Sequence, residues 1–489
     1  MNKDLLSMVI WLPIIFAVIG CSSNDTSPTN GDDEPGPQPN PIVGEVSVVL
    51  TTSDETSLLN ELPEKLPFDN GEGDVTITID ENQTLQTIEG FGAALTGSSA
   101  FLLHNNTEAL NTLFGDAGIK LSYTRLTIGA SDFNKNGSYT YNDISDLEDL
   151  DLAQFSIETD MQDNNPVIPT AKAILAINSD MGFMASPWSA PAWMKSNRSL
   201  KGGSLDPKYY GVYSDYLLKY LMAYKQEGIP IHTITVQNEP LFETSAYPTM
   251  KMNASEQVVF IGGHFGPNLE ASDLTTSIVG YDHNFRVDED PDFPVTLLED
   301  PEASKYTNAI GYHAYGGTPN DISKVTTRFP DAGIYFTEQS GIQNAGTTFG
   351  GEIDFFMKNV FMGTLRRGAK AILLWNLALD ENAGPQNGGC GVCRGVLTIT
   401  SGGTILKNVE YYMLGHFSKY VDSGAQVIAT NELPGILENV AFKNPDGSTV
   451  LVVYNSSNTE GSQNLQVKIG DKSFTYRLPK GALATFKWN

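Results

Sequence analysis

Short apolar runs alternate with longer amphipathic stretches along most of the chain. Each run has four to six residues and ends in polar or turn-forming residues, as a buried strand does. The stretches between them, such as 209–226 and 353–367, show the periodicity of amphipathic helices. Eight such strands separated by helices predict an α/β fold, a (β/α)8 barrel over residues 85–410. The predicted strands are 87–91, 123–128, 182–186, 231–236, 277–281, 309–313, 334–337 and 371–375.

The same alternation is compatible with a doubly wound open sheet. Nucleotide-binding proteins of that class carry a glycine-rich turn that holds phosphate at a helix N-terminus. The sequence contains no such fingerprint. The barrel is therefore the favoured architecture.

The pattern changes after about residue 415, where strand-like runs follow one another without helices. They are separated by turn-forming segments such as Asn-Pro-Asp-Gly at 444–447. This spacing predicts an all-β sandwich over residues 411–489. Two strand-like runs in the segment 42–84 have no helical pattern between them and are expected to join the sandwich. The runs are 43–50, 75–79, 435–442, 449–454, 465–469 and 473–477.

The first residues have the features of an export signal. Lys3 precedes an apolar run over residues 5–19, and Gly20-Cys21-Ser22-Ser23 follows it. This ending resembles the lipobox of bacterial lipoproteins, so residues 1–21 are predicted to be a signal peptide and Cys21 a lipidated residue. Residues 22–41 are polar and rich in proline and glycine, and are predicted to be a flexible linker. The alternatives are an ordinary signal peptide and a membrane anchor.

These features predict an exported, lipid-anchored protein at a bacterial outer membrane or cell surface. The lipid anchor would be its only contact with the membrane. The chain has 489 residues and a formal net charge of −28. Nucleic acid is not an expected partner, because phosphate binding needs clustered basic side chains.

Cys390 and Cys393 allow three interpretations. A zinc site would need a second pair of ligands nearby, and none is apparent in the sequence. A thioredoxin-like pair would open a helix after a strand, whereas these cysteines lie in a glycine-rich segment. A disulfide that closes a small loop is favoured in an oxidising compartment.

Two of the predicted strands end in carboxylates. The run 231–236 leads into Gln237-Asn238-Glu239-Pro240, and the run 334–337 leads into Glu338. The C-terminal ends of barrel strands carry the active site, and a pair of carboxylates is the machinery of most glycosidases. We therefore predict that Glu239 and Glu338 act together on a glycosidic bond.

Other predicted strands end in polar and aromatic residues, a combination suited to sugars. Aromatic rings stack on the apolar faces of sugars, while charged and amide groups bind hydroxyls. A plain apolar core would not end so many strands in this way. The residues concerned are Arg125, Asp132, Trp188, Asn238, His313, Tyr315 and Trp375.

Several strings of the sequence resemble glycoside hydrolase family 30, which includes glucosylceramidase-like and β-1,6-glucanase-like enzymes. They extend over about residues 85–405, and the trailing sandwich is also expected of the family. The matching strings are GFGAALT at 90–96, ASPWSAPAWMK at 185–195, QNEP at 237–240, FTE at 336–338 and LWNLAL at 374–379.

The resemblance implies a role for each of these residues. Glu239 would be the general acid/base and Glu338 the nucleophile of a retaining reaction, with their carboxylates about 5–5.5 Å apart. Asn238 would hold the 2-hydroxyl of the sugar, and Tyr315 would orient Glu338. The remaining residues that would line the sugar subsite are Arg125, Asp132, Trp188, His313 and Trp375, with Tyr247 as a weaker candidate.

The resemblance also suggests a substrate. The segment 388–395 resembles the bacterial β-1,6-glucanase-like branch, which predicts an endo-β-1,6-glucanase. A glucosylceramidase-like or other exo-β-glucosidase is the alternative. Xylan is less expected, because no arginine-rich loop that would bind a uronic acid is apparent. A monomer without metal or cofactor is expected.

An alternative of another class is a surface lipoprotein that binds glycan without cleaving it. Such a protein could keep the barrel after losing its chemistry. The presence of both Glu239 and Glu338 in intact surroundings argues against it.

Overall fold

The computed structural model describes residues 45–145, 148–343, 346–458 and 461–489. The predicted signal peptide, with Cys21, and the predicted linker lie outside the described residues. Among the residues described, no helix has the length and apolar character needed to cross a membrane.

Three strands precede the barrel. They are β1 (Ser47–Thr51), β2 (Asn60–Glu61) and β3 (Val75–Thr87). The third is longer than predicted and carries the chain from the sandwich to the barrel.

Eight parallel strands then close into a barrel, which confirms the predicted architecture. The first of them was predicted at 87–91 and lies instead at 90–95. Its glycines and alanines have low strand propensity. Gly92 lies so close to the Tyr123 carbonyl that any side chain would clash with it. The strands are β4 (Gly90–Leu95), β5 (Tyr123–Ile128), β6 (Gly182–Pro187), β7 (Thr233–Thr235), β8 (Ser277–Asn284), β9 (Ala309–His313), β10 (Gly333–Glu338) and, after the short β11 (Gly341–Ile342), β12 (Ala369–Leu374).

Side chains fill the barrel interior, so the barrel is a packed core and its functional groups lie at its end. The Tyr123 hydroxyl lies 2.9 Å from the Thr233 hydroxyl, and Tyr335 donates to a Glu89 oxygen at 2.7 Å. Polar atoms of the interior are thereby paired. The apolar part of this core contains Tyr123, Met184, Val279, Tyr335, Ala371 and Leu373.

Helices surround the strands, and two of the helical segments contain a π-helical turn, at Ile261–Phe265 and Met357–Phe361. The predicted helix at 209–226 corresponds to α4, and the one at 353–367 corresponds to α9 and α10 with their π turn. The helices are α1 (Gly97–Leu103), α2 (Thr107–Phe114), α3 (Val167–Ile177), α4 (Tyr210–Gln226), α5 (Ala254–Phe260), α6 (Gly266–Glu270), α7 (Phe293–Glu299), α8 (Ser323–Arg328), α9 (Phe349–Phe356), α10 (Met362–Leu365) and α11 (Val409–Ser418).

Short strands follow the last barrel strand. One of them, β14, pairs in antiparallel fashion with β11, with Ile342 opposite Cys393. The segment that contains the two cysteines is therefore joined to the chain that leaves Glu338. These strands are β13 (Ala378–Leu379), β14 (Cys393–Arg394), β15 (Leu397–Ile399) and β16 (Ile405–Lys407).

The remaining strands form the predicted sandwich. Both N-terminal segments join it, because β1 pairs with β22 and β3 lies between β17 and β20. The nine-stranded sheet folds over itself, so that Phe474 lies 5.7 Å from Trp488, between ring centroids. The C-terminal strands are β17 (Gln426–Thr430), β18 (Glu438–Lys443), β19 (Thr449–Tyr454), β20 (Gln463–Ile469), β21 (Lys472–Leu478) and β22 (Leu483–Trp488).

Helix α11 joins the two domains. His416 is fully buried, and its two ring nitrogens lie 2.8 Å from the hydroxyls of Thr485 and Thr51 in the sandwich. Phe417 stacks on Phe361 of the barrel at 4.7 Å. The sandwich is thus fixed to the side of the barrel.

Candidate active site

Two carboxylates lie at the C-terminal ends of barrel strands, where this architecture places its active site. Glu338 is the last residue of β10 and is nearly buried. Glu239 follows β7 and has a φ of +46°, which non-glycine residues adopt only where their surroundings fix it. Its N–H donates to the carbonyl oxygen of Asp282 at 2.9 Å, and this bond fixes the turn.

Arg125 of β5 lies beneath the carboxylates and is fully buried. Its Nη1 donates to Glu338 Oε2 at 2.7 Å, and its Nη2 donates to Asp282 Oδ2 and Asn238 Oδ1, both at 2.8 Å. One planar guanidinium therefore fixes three side chains from three strands. In this structure its partners are protein groups, so it holds the site together from below.

Asp282, in β8, receives more hydrogen bonds than any predicted residue of the site. Besides Arg125, the hydroxyls of Ser186, Thr235 and Thr337 donate to it at 2.7–2.8 Å. Burial raises the pKa of the Asp282 carboxyl, but Arg125, His313 and Thr235 outweigh this and hold it well below its usual range. Asp282 therefore supplies a permanent negative charge under the site.

His313, the last residue of β9, connects this charge to Glu239. Its Nε2 lies 3.1 Å from Asp282 Oδ1, and its Nδ1 lies 3.1 Å from Glu239 Oε1. Burial alone would lower the pKa of His313. The negative charge of Glu338 and the hydrogen bonds to Asp282 and Glu239 instead raise it to about 9.

The two carboxylates differ in the charges around them. Burial and the neighbouring Glu239 raise the pKa of Glu338, and the ion pair with Arg125 opposes this rise. Burial would also raise the pKa of Glu239, but its hydrogen bond with His313 lowers it. One proton is therefore shared between Glu239 and His313, while Glu338 is paired with a cation.

Tyr315 connects the nucleophile position to the open side of the site. Its hydroxyl donates to Glu338 Oε1 at 3.0 Å and accepts the N–H of Ser340 at 3.1 Å. The residue is 47% exposed, so it borders the cleft as well as orienting the carboxylate. With Arg125 on the other oxygen, both oxygens of Glu338 have a donor.

Trp188 and Trp375 form an aromatic wall beside the charged groups. Their rings are stacked with centroids 5.1 Å apart, and the guanidinium carbon of Arg125 lies 5.0 Å and 5.7 Å from the two rings. Phe133 packs edge-on against Trp375 at 6.4 Å. Both tryptophans are nearly buried, so this packing fixes their orientation.

A loop closed by a disulfide lies against the same wall. Cys390 and Cys393 are joined, with their Cα atoms 5.4 Å apart. The N–H of Asn387 donates to the Asp132 carbonyl at 2.8 Å, which attaches the loop to the segment after β5. Burial and the charge of Glu338 raise the pKa of Asp132 well above its usual range. Tyr247 packs against the same cluster.

The structure thus brings most of the predicted residues together. Six of them are linked in one hydrogen-bonded network through Arg125, Asp282 and Tyr315, and the others lie in or beside the aromatic wall. Their contacts with a sugar stay predictions. The linked residues are Arg125, Asn238, Glu239, His313, Tyr315 and Glu338, and the residues at the wall are Asp132, Trp188, Tyr247 and Trp375.

Sequence reasoning missed Asp282 and its neighbour His283. The fifth strand was predicted to end at Tyr281, whereas β8 continues to Asn284. Tyr281 and Asp282 have φ values of +68° and +65°, and the register with β9 shifts there. Such a bulge turns a side chain that the strand pattern places elsewhere. The polar run Asp-His-Asn at a strand end was the available signal.

Comparison with protein-family models shows two matches. The glycosyl hydrolase family 30 TIM-barrel domain matches residues 88–421. The beta sandwich domain of the same family matches residues 424–486. The two matches meet between β16 and β17, where the helical pattern ends.

Individual relatives extend over most of the chain. The endo-1,6-β-D-glucanase of Aspergillus fumigatus is 32% identical over 433 residues, covering 81% of this chain and 84% of that protein. The putative glucosylceramidase 3 of Caenorhabditis elegans is 29% identical over 449 residues, covering 85% and 82%. The solved structure of an endo-β1,6-glucanase has a TM-score of 0.83 at 32% identity, covering 91% of this chain and 99% of that one.

Proposed function

Because the chain belongs to glycosyl hydrolase family 30, we propose that it is an endo-β-1,6-glucanase that works by double displacement with retention. It is a glycoside hydrolase, as its motifs predicted. The observation that supports this mechanism is that the two carboxylates at one end of the barrel have different partners. Glu338 is paired with a cation, whereas Glu239 shares a proton with His313.

In the first step Glu338 attacks the anomeric carbon and forms an ester bond with it. The glycosidic C–O bond breaks, and its oxygen takes the proton that Glu239 and His313 share. Arg125 and Tyr315 each donate to one Glu338 oxygen, and they hold the carboxylate in one orientation for the attack.

In the second step Glu239 is a base. It takes a proton from water, whose oxygen bonds to the anomeric carbon as the ester to Glu338 breaks. The loss of the Glu338 charge on esterification favours ionised Glu239. The separation of about 5–5.5 Å between the carboxylates stays a prediction of the retaining mechanism.

A hydrogen bond within the protein fixes the orientation of the Asn238 side-chain amide. Its Oδ1 accepts from Arg125, so the end that remains for a ligand is the NH₂ group, a donor. The NH₂ group would bind the sugar 2-hydroxyl as acceptor. Hydrogen bonds to this hydroxyl strengthen in the oxocarbenium-like transition state.

β-1,6-Glucan is proposed as the substrate because the Aspergillus relative and the solved structure are both endo-1,6-β-glucanases at 32% identity. The glucosylceramidase at 29% supports an exo-acting β-glucosidase as the second candidate. We further propose that the protein acts as an exported monomer anchored through Cys21. The signal-like first residues and the disulfide support export.

Product analysis on linear β-1,6-glucan, β-1,3-glucan and an aryl β-glucoside tests the substrate. A ladder of short oligomers from β-1,6-glucan alone is expected. Release of glucose alone, or activity on the aryl glucoside alone, would support the exo-acting alternative. Binding of glucan without any hydrolysis by the wild-type protein would support the glycan-binding alternative.

Azide trapping on an activated aryl β-glycoside of a β-1,6-linked glucose oligomer tests the roles of the carboxylates. Glu338→Gly is expected to give the α-glycosyl azide, because azide takes the place of the nucleophile. Glu239→Ala is expected to give the β-glycosyl azide, because azide attacks the glycosyl-enzyme without base catalysis. The reverse pattern would exchange the two roles, and no azide product from either variant would overturn double displacement.

A further inference from the structure

A second set of donor atoms lies beside Glu239. His283 of β8 is nearly buried, and its Nδ1 has no hydrogen-bond partner among the described residues. That atom lies 3.9 Å from Glu239 Oε1, and His313 Nδ1 lies 3.1 Å from the same oxygen. A buried, unpartnered nitrogen is costly, and its direction toward two other donor atoms suggests a ligand that they would share.

The three atoms form a group of metal-ligand type. All three lie within 4.8 Å of one another. Zinc bonds of about 2.1 Å to tetrahedral ligands would place those ligands about 3.4 Å apart. The two measured separations from Glu239 Oε1 bracket this value, so small side-chain rotations would bring all three atoms onto one ion.

The surroundings of His313 also suit a metal. Its other nitrogen, Nε2, lies 3.1 Å from Asp282 Oδ1. A carboxylate on the far nitrogen of a ligating histidine fixes the ring and raises its basicity, as in many zinc sites.

The open position of such a site would face the cleft. The Glu239 side chain is 16% exposed, so this member of the cluster is accessible from solvent. Two histidines and one carboxylate leave the fourth tetrahedral position for water. Imidazole and carboxylate together select zinc and similar first-row ions over magnesium or calcium.

We propose that His283, His313 and Glu239 form a binding site for Zn²⁺ that reversibly inhibits the enzyme. The ion replaces the proton shared by His313 and Glu239, and that proton is released to solvent. Glu239 bound to zinc cannot protonate the glycosidic oxygen. The inhibition rests on the proposed function, whereas the binding does not.

Calorimetric titration with ZnCl₂ tests binding separately from catalysis. The protein is freed of metal and of any polyhistidine tag, and Glu338→Gln is titrated beside the wild type. Both are expected to bind one Zn²⁺, because Glu338 is not a ligand. His283→Ala and His283→Gln are expected to bind at least about 10-fold more weakly.

His264→Ala is the matched control. His264 lies in the π turn at Ile261–Phe265 against Tyr210 and is not part of the cluster. This variant is expected to bind Zn²⁺ as the wild type does. Equal affinity of wild type and both His283 variants, or the absence of saturable binding to the wild type, would overturn the site.

Two further readouts complete the test. At the same Zn²⁺ concentration, the melting temperature should rise less for His283→Gln than for the wild type and Glu338→Gln. Hydrolysis by the wild type should fall with Zn²⁺ and return with a chelator. Binding without inhibition would overturn the regulatory part, and binding by a protein that hydrolyses no glycoside would overturn the proposed function and leave the site intact.

Discussion

Asp282 and Asp160 are both fully buried carboxylates, but their partners differ in charge. Asp282 contacts two cationic groups, Arg125 and His313. Asp160 accepts from tyrosine hydroxyls and from the amide of Asn165, none of them charged. Its hydroxyl partners are Tyr139, Tyr141 and Tyr224, at 2.5–2.6 Å.

The pKa shifts of the two groups are opposite. Burial raises the pKa of Asp160, and its hydroxyl and amide partners only partly offset this. The cations around Asp282 hold its pKa well below the usual range in spite of burial. Asp282 therefore supplies a charge to the active site, whereas Asp160 accepts hydrogen bonds that hold a loop in place.

The loop concerned is the long segment between β5 and α3. Asp160 attaches it to α4 through Tyr224, and Asn165 binds the Asn134 side chain at 3.0 Å. Asp132 lies in the same segment. The Asp160 cluster thus acts at a distance, by placing a loop, while Asp282 acts on the reacting groups through Arg125 and His313.

Asp282→Asn should have the largest effect on catalysis. The substitution keeps the shape but removes the charge that faces Arg125 and His313, so both lose their fixed orientation. We expect kcat/KM to fall by at least about 100-fold and the free energy of unfolding to fall by about 3 kcal/mol. Steady-state kinetics and denaturant unfolding measure both. A variant with near wild-type kcat would refute the role of the charge.

The two aspartates also show which residues of the site can be predicted from the sequence. Glu239 and Glu338 could be predicted because each follows an apolar run, and the strand order alone brings them to one end of the barrel. Asp282 could not, because the bulge at Tyr281 and Asp282 turns its side chain against the strand pattern. Asp160 lies in a polar segment, so its burial depends on tyrosines of α4 far along the chain.

The fold shows the same limit. Seven of the barrel strands lie where apolar runs predicted them, while β4 is shifted because its glycines and alanines give a weak apolar signal. Strands β17 and β22 were not predicted as elements, although both lie in the predicted sandwich. Long-range pairing, rather than local pattern, fixes their positions.

Arg125→Lys should have the next largest effect. Lysine keeps the positive charge but is a single point donor, whereas the guanidinium donates through two nitrogens to Glu338, Asp282 and Asn238. We expect kcat to fall by about 10- to 100-fold, with a smaller loss of stability than in Asp282→Asn. Asp282→Asn removes a charge, whereas Arg125→Lys keeps the charge and removes the hydrogen-bond geometry. Equal falls in kcat in the two variants would show that the charge contributes nothing beyond the geometry.

Tyr315→Phe should weaken catalysis less. The variant removes one of the two donors to Glu338 and leaves Arg125 on the other oxygen. One lost hydrogen bond to a charged group costs about 1.5 kcal/mol at the low end of its range, which corresponds to a fall in kcat of about 10-fold. Tyr335→Phe, in the barrel interior on the same strand as Glu338, is the matched control for loss of a hydroxyl. If both variants lose activity equally, the effect is structural.

Asp160→Asn should change catalysis least, by no more than about twofold, and shift stability in a pH-dependent way. A raised folded pKa means that the contribution of Asp160 to stability is complete below its unfolded pKa of about 4 and is lost as pH rises through the folded value. The neutral amide does not ionise, so the stability of the variant should increase relative to that of the wild type as pH rises from about 4 to 7. At the acid end the variant should be less stable by about 1 kcal/mol, since one hydroxyl must reverse its hydrogen bond.

Melting temperatures of both proteins across this range measure the trend. If the melting temperature of the wild type instead rises relative to that of the variant over this range, Asp160 is ionised and stabilised like Asp282. The contrast between the two aspartates would then be lost.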